Sequence, residues 1–266
     1  MTQQRAIVTG ASAGIGAEYA RQLAQRGFDL LLVARREERL LSMAHELRQK
    51  YGVSAEVHPT NLADPTETTT LCDYIRSQTD ITMLVNNAGF GTENTILKEP
   101  VASQLGMLHL HTTAPYLLCQ AVLPQMVARQ GGAIINVSSI AAFFHGPGAA
   151  NYCATKAYLN SFSQSLQLEV AQHGITVQAL CPGYTVTEFH DTAHMQRFER
   201  GNVPEKLWDS AEFVVSTSIA ALKQNNVIVI PGRKNRMLVL TGSSPLLASA
   251  RKLAGHTVRL LRRSNR

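Results

Sequence analysis

At 266 residues and 45% hydrophobic content, the chain can bury one large core, and an α/β domain of this size commonly forms a single unit. Its four cysteines, Cys72, Cys119, Cys153 and Cys181, have neither disulfide-framework nor metal-ligand spacing, and no apolar run reaches the roughly 18 residues of a membrane span, so a cytoplasmic protein is expected. The net charge of +6 is uneven: from Phe213 onward there are ten basic residues and no acidic ones, while the preceding 212 residues carry 15 basic against 19 acidic, and no nucleic-acid partner is expected.

In chain order, a β-branched strand Arg5–Thr9 leads into the turn Gly10-Ala-Ser-Ala-Gly14-Ile-Gly16 and a helical stretch Ala17 to Arg26. Gly10 permits a sharp turn, Gly14 lets backbone approach a pyrophosphate, and Gly16 lets helix and strand pack closely. The residues Gly10, Ser12, Ala13, Gly14, Ile15 and Gly16 are therefore expected to cradle a dinucleotide. Further strands are expected at Asp29–Ala34, Ala55–His58, Met83–Asn86, Ala133–Val137, Thr176–Leu180 and Val227–Ile230. Segments of crossover-helix length lie between them, which predicts a Rossmann-like doubly wound parallel sheet of about seven strands with helices on both faces. The cofactor should lie across the carboxyl ends of these strands.

Between the fifth and sixth strands stand Ser138-Ser139 and, thirteen residues after Ser139, Tyr152-Cys-Ala-Thr-Lys156. A four-residue step on a helix puts hydroxyl and ammonium on one face, where the cation should lower the tyrosine pKa from about 10. That pair suits proton exchange with a carbonyl/alcohol couple. His109 and His111 stand at i and i+2, diverge on a helix and lack a third ligand, so no metal site is expected. The segment Tyr184 to Trp208, about 184–208, is expected to be a substrate lid on a single catalytic domain spanning 1–244. Residues 245–266 form a basic amphipathic tail, either a helix packed on the body or a contact for an anionic membrane or an acidic carrier.

Five ordered motifs, Thr9-Gly-Ala-Ser-Ala-Gly-Ile-Gly16, Asn86-Asn-Ala-Gly89, Ser138-Ser139, Tyr152-x-x-x-Lys156 and Pro182-Gly183 with Thr187, give a chain that resembles the short-chain dehydrogenase/reductase family. The resemblance implies that Ser139 bonds the substrate oxygen, Tyr152 transfers the proton, and Lys156 tunes Tyr152 and bonds the nicotinamide ribose. It also implies that Asn87, Ala88 and Gly89 line the adenine ribose, that Asn61 and Leu62 flank the adenine, and that Pro182, Gly183, Thr185 and Thr187 pass around the nicotinamide. The family's usual fourth catalytic residue, an asparagine that holds a water, is replaced here by His111, an imidazole that could support a water and titrate near neutrality. Where NAD-preferring members carry an acid, this chain reads Ala34-Arg35-Arg36, so Arg35 and Arg36 are expected to favour NADP(H) over NAD(H).

The expected activity is hydride transfer between NADP(H) and a ketone, aldehyde or 3-oxoacyl group, or the matching secondary alcohol. The alternative is a catalytically weakened NADP-binding sensor or interaction module, which only His111 favours. A homodimer or homotetramer is implied by the family, with Leu159, Phe162, Leu166 and Val170 as interface or core positions.

Overall fold

The computed structural model describes residues 4–92, 94–192, 195 and 198–242. Strands β1 (Arg5–Thr9), β2 (Asp29–Ala34), β3 (Ala55–Pro59), β4 (Ile81–Asn86), β5 (Gly132–Val137), β6 (Ile175–Leu180) and β9 (Ile228–Val229) form one seven-stranded sheet in the order β3-β2-β1-β4-β5-β6-β9. Every pairing in it is parallel. The order reverses between β1 and β4, which opens the crevice at the strands' carboxyl ends where dinucleotides bind in this architecture.

Because both faces are covered, the strands read as continuous apolar runs. On one face, Ala6, Val8, Leu30 and Leu32 pack with Tyr19 and Leu23 of helix α1 (Gly14–Ala24), Leu40 and Leu47 of α2 (Glu37–Tyr51), and Val214 of α7 (Ala211–Ala221). On the other, Ile7, Leu31 and Leu84 meet Leu71 of α3 (Pro65–Arg76), Leu118 of α5 (Ala114–Arg129), and Leu166 and Val170 of α6 (Ala150–Val170). Leu159 is buried with the core, whereas Phe162 stays half-buried, stacked on Tyr158 at 5.7 Å.

Three features differ from expectation. Helix α1 begins at Gly14, inside the glycine turn, so Gly14 and Gly16 belong to its first turn. Helix α4 (Val101–Leu108) runs into α5 through a π-turn over His109–Thr113, whose extra residue no apolar period announces. The expected lid carries a small parallel ladder, β7 (Thr185–Val186) with β8 (Asp209–Ser210), which closes the segment at its base. The last helix described is α8 (Arg233–Gly242); the basic tail, 245–266, lies outside the described residues. No helix among the described residues is long and apolar enough to cross a membrane.

Candidate active site

The site begins where β1 and β4 end together. The Thr9 hydroxyl donates to the Val85 carbonyl (3.2 Å) and accepts from the backbone N–H groups of Asn87 (2.9 Å) and Ala88 (3.0 Å). The Asn87 amide donates back to the Thr9 carbonyl at 2.9 Å, so its side chain braces the turn. Gly10 and Gly14 adopt φ of +66° and +55°, and a Cβ on Gly16 would stand 2.3 Å from the Gly10 carbonyl oxygen. Only glycines let this turn close. Ala13, the residue before α1, offers no side-chain cap, which leaves the helix's first-turn N–H groups and positive dipole end for an anion. The cradle fits a dinucleotide pyrophosphate.

At the end of β2 the chain gathers a second anion site. Arg36 donates through Nε and Nη2 to the Ser12 hydroxyl (3.2 and 3.0 Å) and pairs through Nη1 with Glu188 at 2.9 Å. Arg39, in the first turn of α2, pairs with the same carboxylate at 2.6 Å. These two guanidiniums hold the Glu188 carboxyl below its ordinary range. Arg35 is exposed and makes no hydrogen bond or ion pair with the described residues. Two cations placed at a helix N-terminus oppose its dipole, and Glu37 and Glu38 in the same turn offset them. Asn61 and Leu62 lie beyond β3: Asn61 donates its backbone N–H to Glu67 at 2.6 Å, while Leu62 is buried under α3 and α5.

The candidate proton site is built on Val137, the last residue of β5, and the two residues that follow it. The Val137 carbonyl accepts from Lys156 Nζ (2.8 Å), the Ser138 hydroxyl donates to the Lys156 carbonyl (2.8 Å), and Ser139 reaches Tyr152. Ser139 also caps the short turn Ile140–Phe143, accepting from Ala141 N–H at 3.1 Å. Below them Asn86 donates to Asn136 (2.8 Å) and Asn136 to Ser163 (2.9 Å), so β4, β5 and α6 are locked as one body. Pro182 accepts from Ile140 N–H at 2.9 Å, and buried Thr185 donates to Gly183 at 3.1 Å, which fixes the loop after β6 beside this site. Thr187 abuts Gly14, where a Cβ would come within 3.0 Å of it.

The electrostatics depart from expectation at two residues. Tyr152 is half-buried as a whole but its hydroxyl is enclosed, and burial pushes its pKa up to about 12, against the lowering contributed by the Ser139 hydrogen bond. Lys156 does not lower it in the isolated chain; its ammonium, 5.7 Å from the Tyr152 ring centre, is engaged by Val137, and burial brings its own pKa down to about 8. The phenol is thus held protonated.

His111 does not titrate near neutrality either. It is 1% exposed; burial first, and then the nearby Lys156 charge, lower its pKa well below the usual imidazole value. Its Nε2 accepts the Phe90 backbone N–H at 3.2 Å, which leaves the proton on Nδ1, facing the Thr155 hydroxyl at 3.0 Å. Thr155 in turn donates to the Tyr152 carbonyl at 2.9 Å. Both ring nitrogens are therefore spent on protein groups, and neither is left for a water. The residue ties the β4 loop to the helix of Tyr152, with its ring edge-on to the tyrosine at 5.9 Å. His109 turns away towards Thr68 Oγ1 at 3.3 Å.

The family model described as short chain dehydrogenase matches residues 4–197. The chain belongs to the short-chain dehydrogenase family. It is 31% identical over 236 residues to the 3-oxoacyl-[acyl-carrier-protein] reductase FabG of Rickettsia prowazekii, covering 88% of this chain and 94% of that protein. It is 38% identical to a very-long-chain 3-oxoacyl-CoA reductase of Laccaria bicolor over 69% of this chain, and spans about half, 55%, of that longer relative. Among solved structures, a short-chain dehydrogenase from Sphingobium yanoikuyae in complex with NADPH superposes with a TM-score of 0.80 at 32% identity, covering 99% of this chain and 96% of that one. A bulky-bulky ketone specific alcohol dehydrogenase from Comamonas testosteroni follows at 0.77 and 27%, covering 98% and 94%. As a short-chain dehydrogenase, the protein is an oxidoreductase acting between CH–OH and C=O with a nicotinamide cofactor.

Within this short-chain dehydrogenase, the fold brings Ser139, Tyr152, Lys156 and His111 together at one end of the crevice, and Ser12 and Arg36 at the other. Sequence reasoning missed Arg39 and Glu188. Arg39 carried a readable signal, three residues after Arg36 on the same helical turn. Glu188 carried none, being 152 residues from Arg36.

Proposed function

We propose that this protein is an NADP(H)-dependent carbonyl reductase, acting on a ketone, aldehyde or 3-oxoacyl group. The observation that carries the cofactor reading is the cluster of Ser12, Arg36 and Arg39, which already holds a carboxylate beside the glycine turn. Guanidiniums bind phosphate through charge-assisted bonds, and a ribose 2′-phosphate would meet them at the end of β2. An NADPH complex among the superposed structures, of the Sphingobium protein, agrees with this reading.

The bound nicotinamide supplies the hydride. Ser139 and Tyr152 then offer two hydroxyls to the substrate oxygen as charge develops on it, and Tyr152 releases its proton there. A phenol held at about 12 is fully protonated at neutral pH, which suits the reductive direction. Lys156, its pKa brought down to about 8, is mostly charged at pH 7 and holds that charge on the Val137 carbonyl, 5.7 Å from the Tyr152 ring centre. His111 acts on this site by position, holding the Tyr152 helix against the β4 loop.

Intact Ser139, Tyr152 and Lys156 argue against a non-catalytic sensor. Following NADPH absorbance with ketones, aldehydes and 3-oxoacyl thioesters tests the reading. Turnover with none of the three classes, or equal kcat/KM with NADH, would remove it.

We further place a homo-oligomer contact on α5 and α6, where half-buried Phe162 stacks with Tyr158 and meets Tyr116 edge-on at 6.3 Å, beside Leu168, which is 83% exposed. Light scattering at the mass of one 29.0 kDa chain would reject it.

A further inference from the structure

Glu188 sits at a junction that the reaction does not require. Thr187 caps the short turn Glu188–Asp191, its hydroxyl accepting from Phe189 N–H at 3.3 Å, and Arg200 clamps the same turn through the Asp191 carboxylate at 2.7 Å. One end of this turn projects Glu188 between Arg36 and Arg39, with both carboxylate oxygens accepting. The next residue, Phe189, lays its ring on Tyr152 with centroids 6.1 Å apart. A single turn thus occupies the anion clamp and sets a ring against Tyr152 at once.

We propose that Glu188 is an internal occupant of the 2′-phosphate clamp, a specificity latch that a 2′-phosphorylated nucleotide displaces and a nucleotide without that phosphate leaves closed. The proposal rests on the NADP(H) reading and names a further residue that enforces it. The chemistry is an exchange of anions on one pair of guanidiniums. A carboxylate brings one charge and two acceptor oxygens; a phosphate monoester brings nearly two charges and three. The ion pairs that hold Glu188 are about half exposed, so the latch is weak and gives way to a dianion. Because it is attached to the chain, it still competes at high effective concentration, and a cofactor lacking the phosphate has nothing to exchange for it. Opening the latch removes one of the two side-chain anchors of the turn that carries Phe189 beside Tyr152, the other being Arg200 on Asp191.

The chain's single tryptophan makes this measurable without turnover. Trp208 belongs to the same segment, with its ring 5.2 Å from His190 and Arg200 over it at 5.4 Å. Wild type and Glu188→Gln are titrated with adenosine 2′,5′-bisphosphate and with adenosine 5′-monophosphate, following Trp208 emission and calorimetric affinity. The bisphosphate is expected to shift the emission of the wild type and the monophosphate to leave it unchanged. Glu188→Gln should start near the shifted emission and bind the bisphosphate roughly two- to fivefold tighter, with the monophosphate affinity unmoved. Selective bisphosphate binding by the wild type with no gain in Glu188→Gln, or with unshifted emission, overturns the latch alone. Equal affinity of the wild type for the two nucleotides overturns the NADP(H) reading and the latch with it.

Discussion

The two ends of the crevice are built from opposite materials. Around Tyr152 the groups are buried, uncharged except for Lys156, and joined by hydrogen bonds into the sheet: Lys156 to Val137, Ser138 to Lys156, His111 to Phe90 and Thr155. Around Ser12 the groups are exposed, fully charged and joined to each other by ion pairs across long stretches of chain. Chemistry gains from the first arrangement, because dipoles fixed in a dry site act strongly and need no reorganisation. Recognition of a phosphate gains from the second, because a clamp open to water can release one anion and take another. A buried error should therefore abolish turnover, whereas an exposed one should shift preference.

The sharpest break is Tyr152→Phe, which keeps the ring and removes the proton. Turnover should fall by about a hundredfold or more, with NADPH affinity within about twofold in a binding titration. Retained turnover above about a tenth would place the proton donor elsewhere.

Arg36→Ala with Arg39→Ala comes next, attacking the exposed end alone. NADPH binding should weaken by about 2 to 4 kcal/mol while NADH binding barely moves. Parallel losses for both cofactors would mean that the arginines support the fold rather than the phosphate.

Lys156→Met should separate stability from function. Burial depresses the lysine pKa to about 8, so charging it in the fold costs stability that appears as pH falls from its ordinary 10.5 through 8. An apolar side chain of similar length removes that cost, and melting at pH 7 should rise by about 2 to 5 °C as turnover collapses. A lower melting temperature would show that the ammonium contributes more to the fold through Val137 than its burial costs.

The smallest effect concerns His111. Its folded pKa is depressed, so the unfolded chain takes up a proton as pH drops below about 6.5 while the folded chain does not, and stability is lost in that window. His111→Asn should flatten this loss by up to about 1.4 kcal/mol per pH unit, read from urea unfolding at pH 7 and pH 5.5. The kcat/KM profile of the wild type should show no limb owed to His111. A limb near 6 to 7 that disappears in the variant would put the imidazole back in a proton relay.

The buried end was largely legible in the sequence; of the exposed end Ser12 and Arg36 were legible, and Arg39 and Glu188 were not. Gly10, Gly14 and Gly16 declare themselves because no other residue fits their backbone or contacts, and Tyr152 and Lys156 because a helix fixes their spacing. The strands were found from apolar runs, with β1 and β2 at their observed limits and β4 longer by Ile81 and Thr82. What spacing cannot carry is environment. The pKa of Tyr152 depends on how much protein covers its hydroxyl, and the tautomer of His111 depends on an N–H from a loop 21 residues away. Glu188 was hidden for the same reason, since only the closed fold brings it to Arg36 and Arg39.

The end of β5 works as a ruler. Val137, Ser138 and Ser139 each touch a different part of Lys156 or Tyr152, and Val137 is itself paired in register with Leu180 of β6. A single residue inserted between Asn136 and Val137 would move all three contacts off target together.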